Sequence, residues 1–277
     1  MSELGQGNIA KMRTELNDGL AHYRLPLGDA ELDMSELIGQ VVKIEYAGVI
    51  NCVHCQRKTN KSFSQGYCYP CFRRLAQCDS CIMSPEKCHY HLGTCREPEW
   101  GEANCMIDHF VYLANTSGLK VGITRHSQVP TRWMDQGATQ ALPIFRVASR
   151  QQSGLVETVF KSHIADRTNW QAMLKGPSEP ADLESERQRL MAVCASEIAA
   201  LQQQFGLQAL APLEQQAVTA IEYPVLEYPR KVTSFNFDKD SQVAGTLLGI
   251  KGQYLILDTG VINLRKFGGY QVALSQH

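Results

Sequence analysis

The chain has 277 residues, of which 44% are hydrophobic and 20% charged, and its formal net charge is −1. Such a composition supports a packed core of about two domains and argues against global disorder. The near-zero charge excludes a histone-like binder driven by its overall field, so any nucleic-acid contact must come from local patches.

The opening residues MSELGQGNIAKMR carry an early acid and no apolar signal region. No window reaches about 18 consecutive apolar residues. A cytoplasmic protein with no membrane partner is therefore expected.

Residues 1–50 read as short strands. HYRLPL is one; residues 37–50 are another, with Val42, Ile44 and Tyr46 on one face. This segment holds eight acids against four bases.

Residues 51–107 form a cysteine-rich module. Nine of the ten cysteines fall between Cys52 and Cys105. In a reducing compartment, clustered cysteines read as metal ligands rather than disulfides. Cys52, Cys55, Cys68 and Cys71 have the spacing C-x2-C-x12-C-x2-C, in which two tight turns bring four thiolates around one structural zinc. Cys78 and Cys81 make a third knuckle, and Cys88 and Cys95 are the first choice to complete a second zinc site. His91 or Cys105 could replace either of the latter, and an iron–sulfur centre is the alternative metal, because thiolate ligation alone does not select it.

Residues 52–76 contain Arg57, Lys58, Lys61, Arg73 and Arg74 and no acid. Phe63, Tyr67, Tyr69 and Phe72 lie among them. Two readings stand: a phosphate-contacting, base-stacking surface, or aromatics filling a small core beneath a solvated basic face.

Residues 108–176 change character. HFVYLA and LKVGIT read as paired strands, TRWMDQGA as a short helix stopped at Gly137, LPIFRVAS as a third strand, and SGLVETVFKSHIAD as a helix with Ser153 as its cap. Residues 177–215 form a helical connector with one long helical pattern at residues 184–205, where Cys194 reads as a buried apolar residue. Residues 216–277 are β-rich, with three apolar runs separated by KG, DTG and FGG turns. Evenly spaced short strands predict a small antiparallel barrel or curled sheet, completed by the N-terminal strands because open edges gain by pairing. The fold class is α+β.

In VYLANTSGLKVGIT, Val111-Tyr112-Leu113 and Lys120-Val121-Gly122, followed by Arg132 and Glu157, resemble the divergent branch of the GIY-YIG nuclease superfamily over roughly residues 110–170. The segments PEKCHYHLGTCREPEWG, YLANTSGLKVGITR, RWMDQGA and GIKGQYLILDTGVINLRKFGGY resemble an uncharacterised bacterial and archaeal family over most of the chain. The nuclease resemblance implies Mg²⁺ or Mn²⁺ on Glu157, water activation by Tyr112, and a phosphate clamp at Arg132. Lys120 stands where the superfamily has a tyrosine; it could bind phosphate, act as a base if desolvated, or mark a fold that has lost catalysis. From residue 119 to 175 there are eight bases and three acids, which favours one phosphate-facing side. The expected function is that of a zinc-containing nucleic-acid-binding protein, DNA or RNA undecided, with divalent-metal-dependent phosphodiester cleavage as a further capability. The competitors are a non-catalytic zinc protein that binds nucleic acid or a ribonucleoprotein, and a scaffold for a protein partner.

Overall fold

The computed structural model describes residues 2–276. In chain order, the N-terminal region supplies β1 (Ser2–Asn8), β2 (Arg13–Asn17), β3 (Leu20–Leu27), β4 (Ala30–Asp33) and β5 (Val41–Asn51). The cysteine-rich region has only β6 (Lys58–Thr59), α1 (Tyr69–Arg74), α2 (Pro98–Asn104) and single 3₁₀ turns. The central region contains β7 (His109–Asn115), β8 (Leu119–Arg125), α3 (Thr131–Asp135), β9 (Gln140–Val147), α4 (Arg150–Lys161) and α5 (Trp170–Met173). There follow α6 (Leu183–Val193), α7 (Ala195–Phe205), β10 (Leu210–Pro212) and β11 (Thr219–Ala220), and then β12 (Gln242–Lys251), β13 (Tyr254–Leu257), β14 (Gly260–Asn263) and β15 (Tyr270–Gln276).

Both chain termini build one sheet, ordered β1-β15-β5-β12-β13-β14, with β6 also on β5. Every pairing in it is antiparallel. The termini therefore meet as expected, but the sheet is open and no barrel closes. Its two ends are covered by other segments. Next to β1, Ile9 bridges Leu27 of β3; along β14, Val261 donates to the Thr233 carbonyl and accepts from the Phe235 amide. With each edge already partnered, the driving force to pair them with one another is gone.

A second sheet, β10-β9-β7-β8 with β11 also on β9, carries the central region. On one face Val111, Leu113, Val121 and Phe145 share a buried core with Val156 and Phe160 of α4. The expected long helix after residue 183 is kinked at Cys194, while the amides of Cys194 and Ile198 still donate to the carbonyls of Leu190 and Cys194. Leu183, Leu190, Cys194 and Ile198 all join the same core. Helix α4 is capped by Ser149, whose hydroxyl accepts from the Gln152 amide, and not by Ser153. Ser153 is buried in the first turn and donates to the Arg150 carbonyl. No helix among the described residues is long and apolar enough to cross a membrane.

The other face of the central sheet is shared. Tyr112, Ala114, Trp133 and Met134 pack in one core with Ile9, Met12, Leu255 and Phe267 of the terminal regions. The hairpin that bears Tyr112 is thus held against a rigid wall.

Candidate functional site

Local register explains how the central residues meet. Tyr112 on β7 lies opposite Gly122 on β8. A Cβ at position 122 would come within 2.7 Å of the Tyr112 hydroxyl. Only glycine lets the ring lie flat across the neighbouring strand. The phenol donates to Gln136 Oε1 at 2.8 Å, and the ring meets Trp133 edge-on with centroids 6.0 Å apart. Burial pushes its pKa up to about 12, Glu157 adds to the rise, and Arg132 offsets part of it.

Lys120 lies two residues before Gly122 and is only 3% exposed. Burial and the Arg132 charge bring its pKa down to about 8, against the opposite pull of Glu157 and Asp166. Glu157, on the middle of α4, has its side chain 12% exposed and pairs with Lys161 at 3.4 Å. Burial raises its carboxyl, and Lys161 pulls the other way. Lys161 also reaches Asp166 at 3.3 Å. Arg132 and Glu157 therefore each lie within electrostatic reach of both Tyr112 and Lys120. Lys161 is legible as an i,i+4 partner of Glu157; Asp166 enters only through the fold.

Arg132 also opens onto a cleft of ≈ 400 Å³ where the cysteine module, the central sheet and the terminal sheet meet. Five cations line it, Lys11, Arg125, Arg132, Arg150 and Arg265, against one carboxylate, Asp135. Asp135 pairs with Lys11 and, at 3.9 Å, with Arg265, and accepts from Gln253 at 2.9 Å. It anchors residues from opposite ends of the chain at one wall. Trp100 and Tyr67 supply aromatic lining.

In the cysteine module, the sulfurs of Cys52, Cys55, Cys68 and Cys71 all lie within 4.8 Å of one another. Cys55 and Cys68 are 3.7 Å apart, close to the edge of about 3.8 Å set by four Zn–S bonds in a tetrahedron. Burial raises the Cys52 thiol, but backbone hydrogen bonds from Cys55, Cys68 and His54 bring it down to about 6, while burial and the neighbouring cysteines push Cys71 up to about 12. Metal binding takes all four as thiolates, and it is the closeness of the four sulfurs that supports a shared ion. These four residues can hold one zinc ion.

The aromatics of this module pack together: Phe63 stacks on Phe72 and tilts against Tyr69, each pair 5.5 Å apart. Tyr67 and Phe72 lie against the cysteines, while Tyr69 stays 54% exposed. Cys78 turns into this first core beside Cys52, Cys68, Cys71 and Leu75. Cys81, Cys88 and Cys95 instead line a separate small cavity together with Cys105.

Fold and site together define a multi-sheet α+β protein with a four-cysteine cluster able to hold zinc beside an arginine-lined cleft. The chain belongs to the family described as "Protein of unknown function (DUF2797)", whose profile matches residues 39–272. No curated protein and no solved structure matches it.

The buried lysine gives a direct test. Its folded pKa lies below the unfolded value, so between about pH 8 and 10 the unfolded state binds more protons and stability rises with pH. Lys120→Met should therefore stabilise the fold near pH 7 by up to about 3 kcal/mol. The gain should shrink as pH climbs through that window. Denaturant midpoints at pH 7 and at high pH check both parts; a destabilised variant at pH 7 would contradict them.

Proposed function

We propose that the protein binds nucleic acid in the arginine-lined cleft and cleaves phosphodiester bonds there with a divalent cation at Glu157. The observation that carries this reading is that Arg132, which lines the cleft, and Glu157 both act electrostatically on the buried Tyr112 and Lys120, so that residues from two strands and two helices are linked to the cleft through Arg132. In the GIY-YIG-like reading, Arg132 clamps the scissile phosphate, where charge develops in the transition state. Tyr112, with its proton held firmly by burial, orients; Lys120 is the better acceptor for the water proton, because its pKa of about 8 leaves a working fraction neutral near physiological pH.

The donor set suits Mg²⁺ or Mn²⁺. Among the described residues, only the four cysteines and an Asp79, Cys81 and His89 trio bring three or more ligand atoms within 4.8 Å of one another. An ion at Glu157 would thus be held by one or two carboxylates, waters and substrate phosphate, the usual arrangement for Mg²⁺. Such an ion would displace Lys161 from its ion pair. The zinc centre is structural, since four thiolates leave no open position.

The occupied Glu157–Lys161 pair is the observation that favours a second reading, in which the protein binds nucleic acid without cleaving it.

Titration of single- and double-stranded DNA and RNA across salt tests the binding part. With five cations on the phosphates, single-strand affinity should fall by about a hundredfold between roughly 50 and 200 mM salt. Joint charge reversal of Arg125 and Arg265 should weaken all sequences alike, because phosphate contacts carry no base code. The same reversal at Arg57, Lys58 and Lys61 measures the share of the module's outer face. Absence of binding at low salt would leave the protein-scaffold reading. Cleavage is tested by wild type against a Glu157 variant with and without added divalent ion.

A further inference from the structure

The cysteines left over from the zinc centre form a group of a different shape. Cys81, Cys88, Cys95 and Cys105 line one small cavity, whose remaining wall is mostly apolar, from Ile82, Tyr90, Trp100 and Met106. Cys81 lies within electrostatic reach of each of the other three. Yet among the described residues no three of these four sulfurs come within 4.8 Å of one another, whereas all four of the first group do. A single tetrahedral zinc needs sulfurs about 3.8 Å apart. Four cysteines that line one cavity without crowding to single-ion distance suit a ligand with its own volume, in which several metal ions and bridging sulfides stand between them.

We propose that Cys81, Cys88, Cys95 and Cys105 bind a polynuclear iron–sulfur cluster. The spacing of six, six and nine residues between them has no paired C-x2-C knuckle, unlike the zinc centre. Cys78, the knuckle partner of Cys81 in sequence, faces the first core and is not a ligand. Gly101 presents its bare backbone to this pocket: a Cβ there would lie 3.3 Å from the Cys95 sulfur and from the Tyr90 ring. Asp79 also lines the cavity, but Arg96 engages its carboxylate at 2.7 Å. The competing arrangement is a mononuclear ion on Asp79, Cys81 and His89, whose ligand atoms do lie within 4.8 Å of one another.

The cavity shares Ile82, Trp100 and Cys105 with the arginine-lined cleft. Arg150, in the cleft wall, lies within electrostatic reach of both Cys81 and Cys105. A cluster here would sit directly behind the phosphate-binding surface, independent of whether that surface cleaves.

The test is metal and sulfide analysis of the full chain purified without oxygen and treated with ferrous iron and sulfide. The expected result is about one zinc with about four iron and four acid-labile sulfide per chain for a cubane, or about two of each for a two-iron cluster. Thiolate-to-iron charge-transfer absorption in the visible should accompany them. Cys88→Ala and Cys105→Ala should each lose the iron and keep the zinc, and the retained zinc reports that the chain has folded. Cys78→Ala should keep the iron. Two zinc and no iron in the wild type would overturn the proposal. So would loss of the second metal in His89→Ala with retention in Cys105→Ala.

Discussion

Glu157→Gln should lower divalent-ion-dependent cleavage by at least about a hundredfold, the scale of removing one transition-state charge interaction, while binding and fold stay close to wild type. The substitution keeps shape and removes the charge that would hold the cation. It also frees Lys161 from one of its two carboxylates, and Asp166 remains at 3.3 Å to hold it. The pH profile should carry two limbs. On the acid side, activity falls as Glu157 takes up a proton, and burial moves that limb above the ordinary glutamate range. On the alkaline side, activity rises through about pH 8 as Lys120 becomes neutral. Lys120→Arg, which cannot give up its proton, should abolish the alkaline rise. Equal cleavage by wild type and Glu157→Gln, prepared in parallel, would assign the activity to a contaminant. No cleavage by either, with salt-dependent binding intact, would select the non-catalytic reading.

Cys68→Ala should release the zinc and unfold the four-cysteine module while the sheets persist. Zinc binding in small metal modules carries about 10–16 kcal/mol, and that energy is their folding energy. Here little else is available. Apart from Cys52, Cys68, Cys71 and Cys78, the module's core contains only Leu75, with Tyr67 and Phe72 against it. Hydrogen exchange should show lost protection across residues 52–76 and unchanged protection in β7, β8 and β9. The amide of Val53 donates to the Gly66 carbonyl, and this contact should be among the first to open. One zinc retained per chain with unchanged exchange would refute the four-cysteine assignment. Because Tyr67 lines the cleft, the same variant should weaken nucleic-acid affinity.

The sequence made some of this legible and hid the rest for physical reasons. Periodicity located β5, β7, β8, β9 and the C-terminal hairpins, since each has a buried face and turn residues at its ends. The pairing of the termini followed from edge strands needing partners, but the sheet does not close, and residues 233–235 lie along β14 while Leu27 bridges Ile9 beside β1. No local pattern announces those covering segments. The zinc knuckles were explicit in their spacing. The partition of the remaining cysteines was not: Cys78 and Cys81 look paired in sequence, yet the 3₁₀ turns at Ala76–Cys78 and Ser80–Ile82 aim them at different cavities. Four candidate site residues could be named from short motifs. The cleft could not, because Lys11 and Arg265 are brought together only by the buried carboxylate of Asp135.

Helix α4 has a contact whose consequence concerns how the chain can be divided. A Cβ at Gly154 would come within 2.7 Å of the Glu86 amide and of Pro85 Cβ, so the cysteine-rich loop rests directly on the helix backbone. Arg150 and Gln151 fasten the same turn, donating to the carbonyls of Ile82 at 2.7 Å and Cys88 at 3.2 Å, and the Arg150 amide donates to the Cys105 carbonyl at 2.7 Å. Glu157 lies less than one turn further along. A fragment cut at residue 108 would bare this face and leave the carboxylate on an unsupported helix. The loop that begins at residue 82 is in effect a splint for the helix that carries Glu157, so the central region is not a module that can be excised, transplanted or assayed by itself.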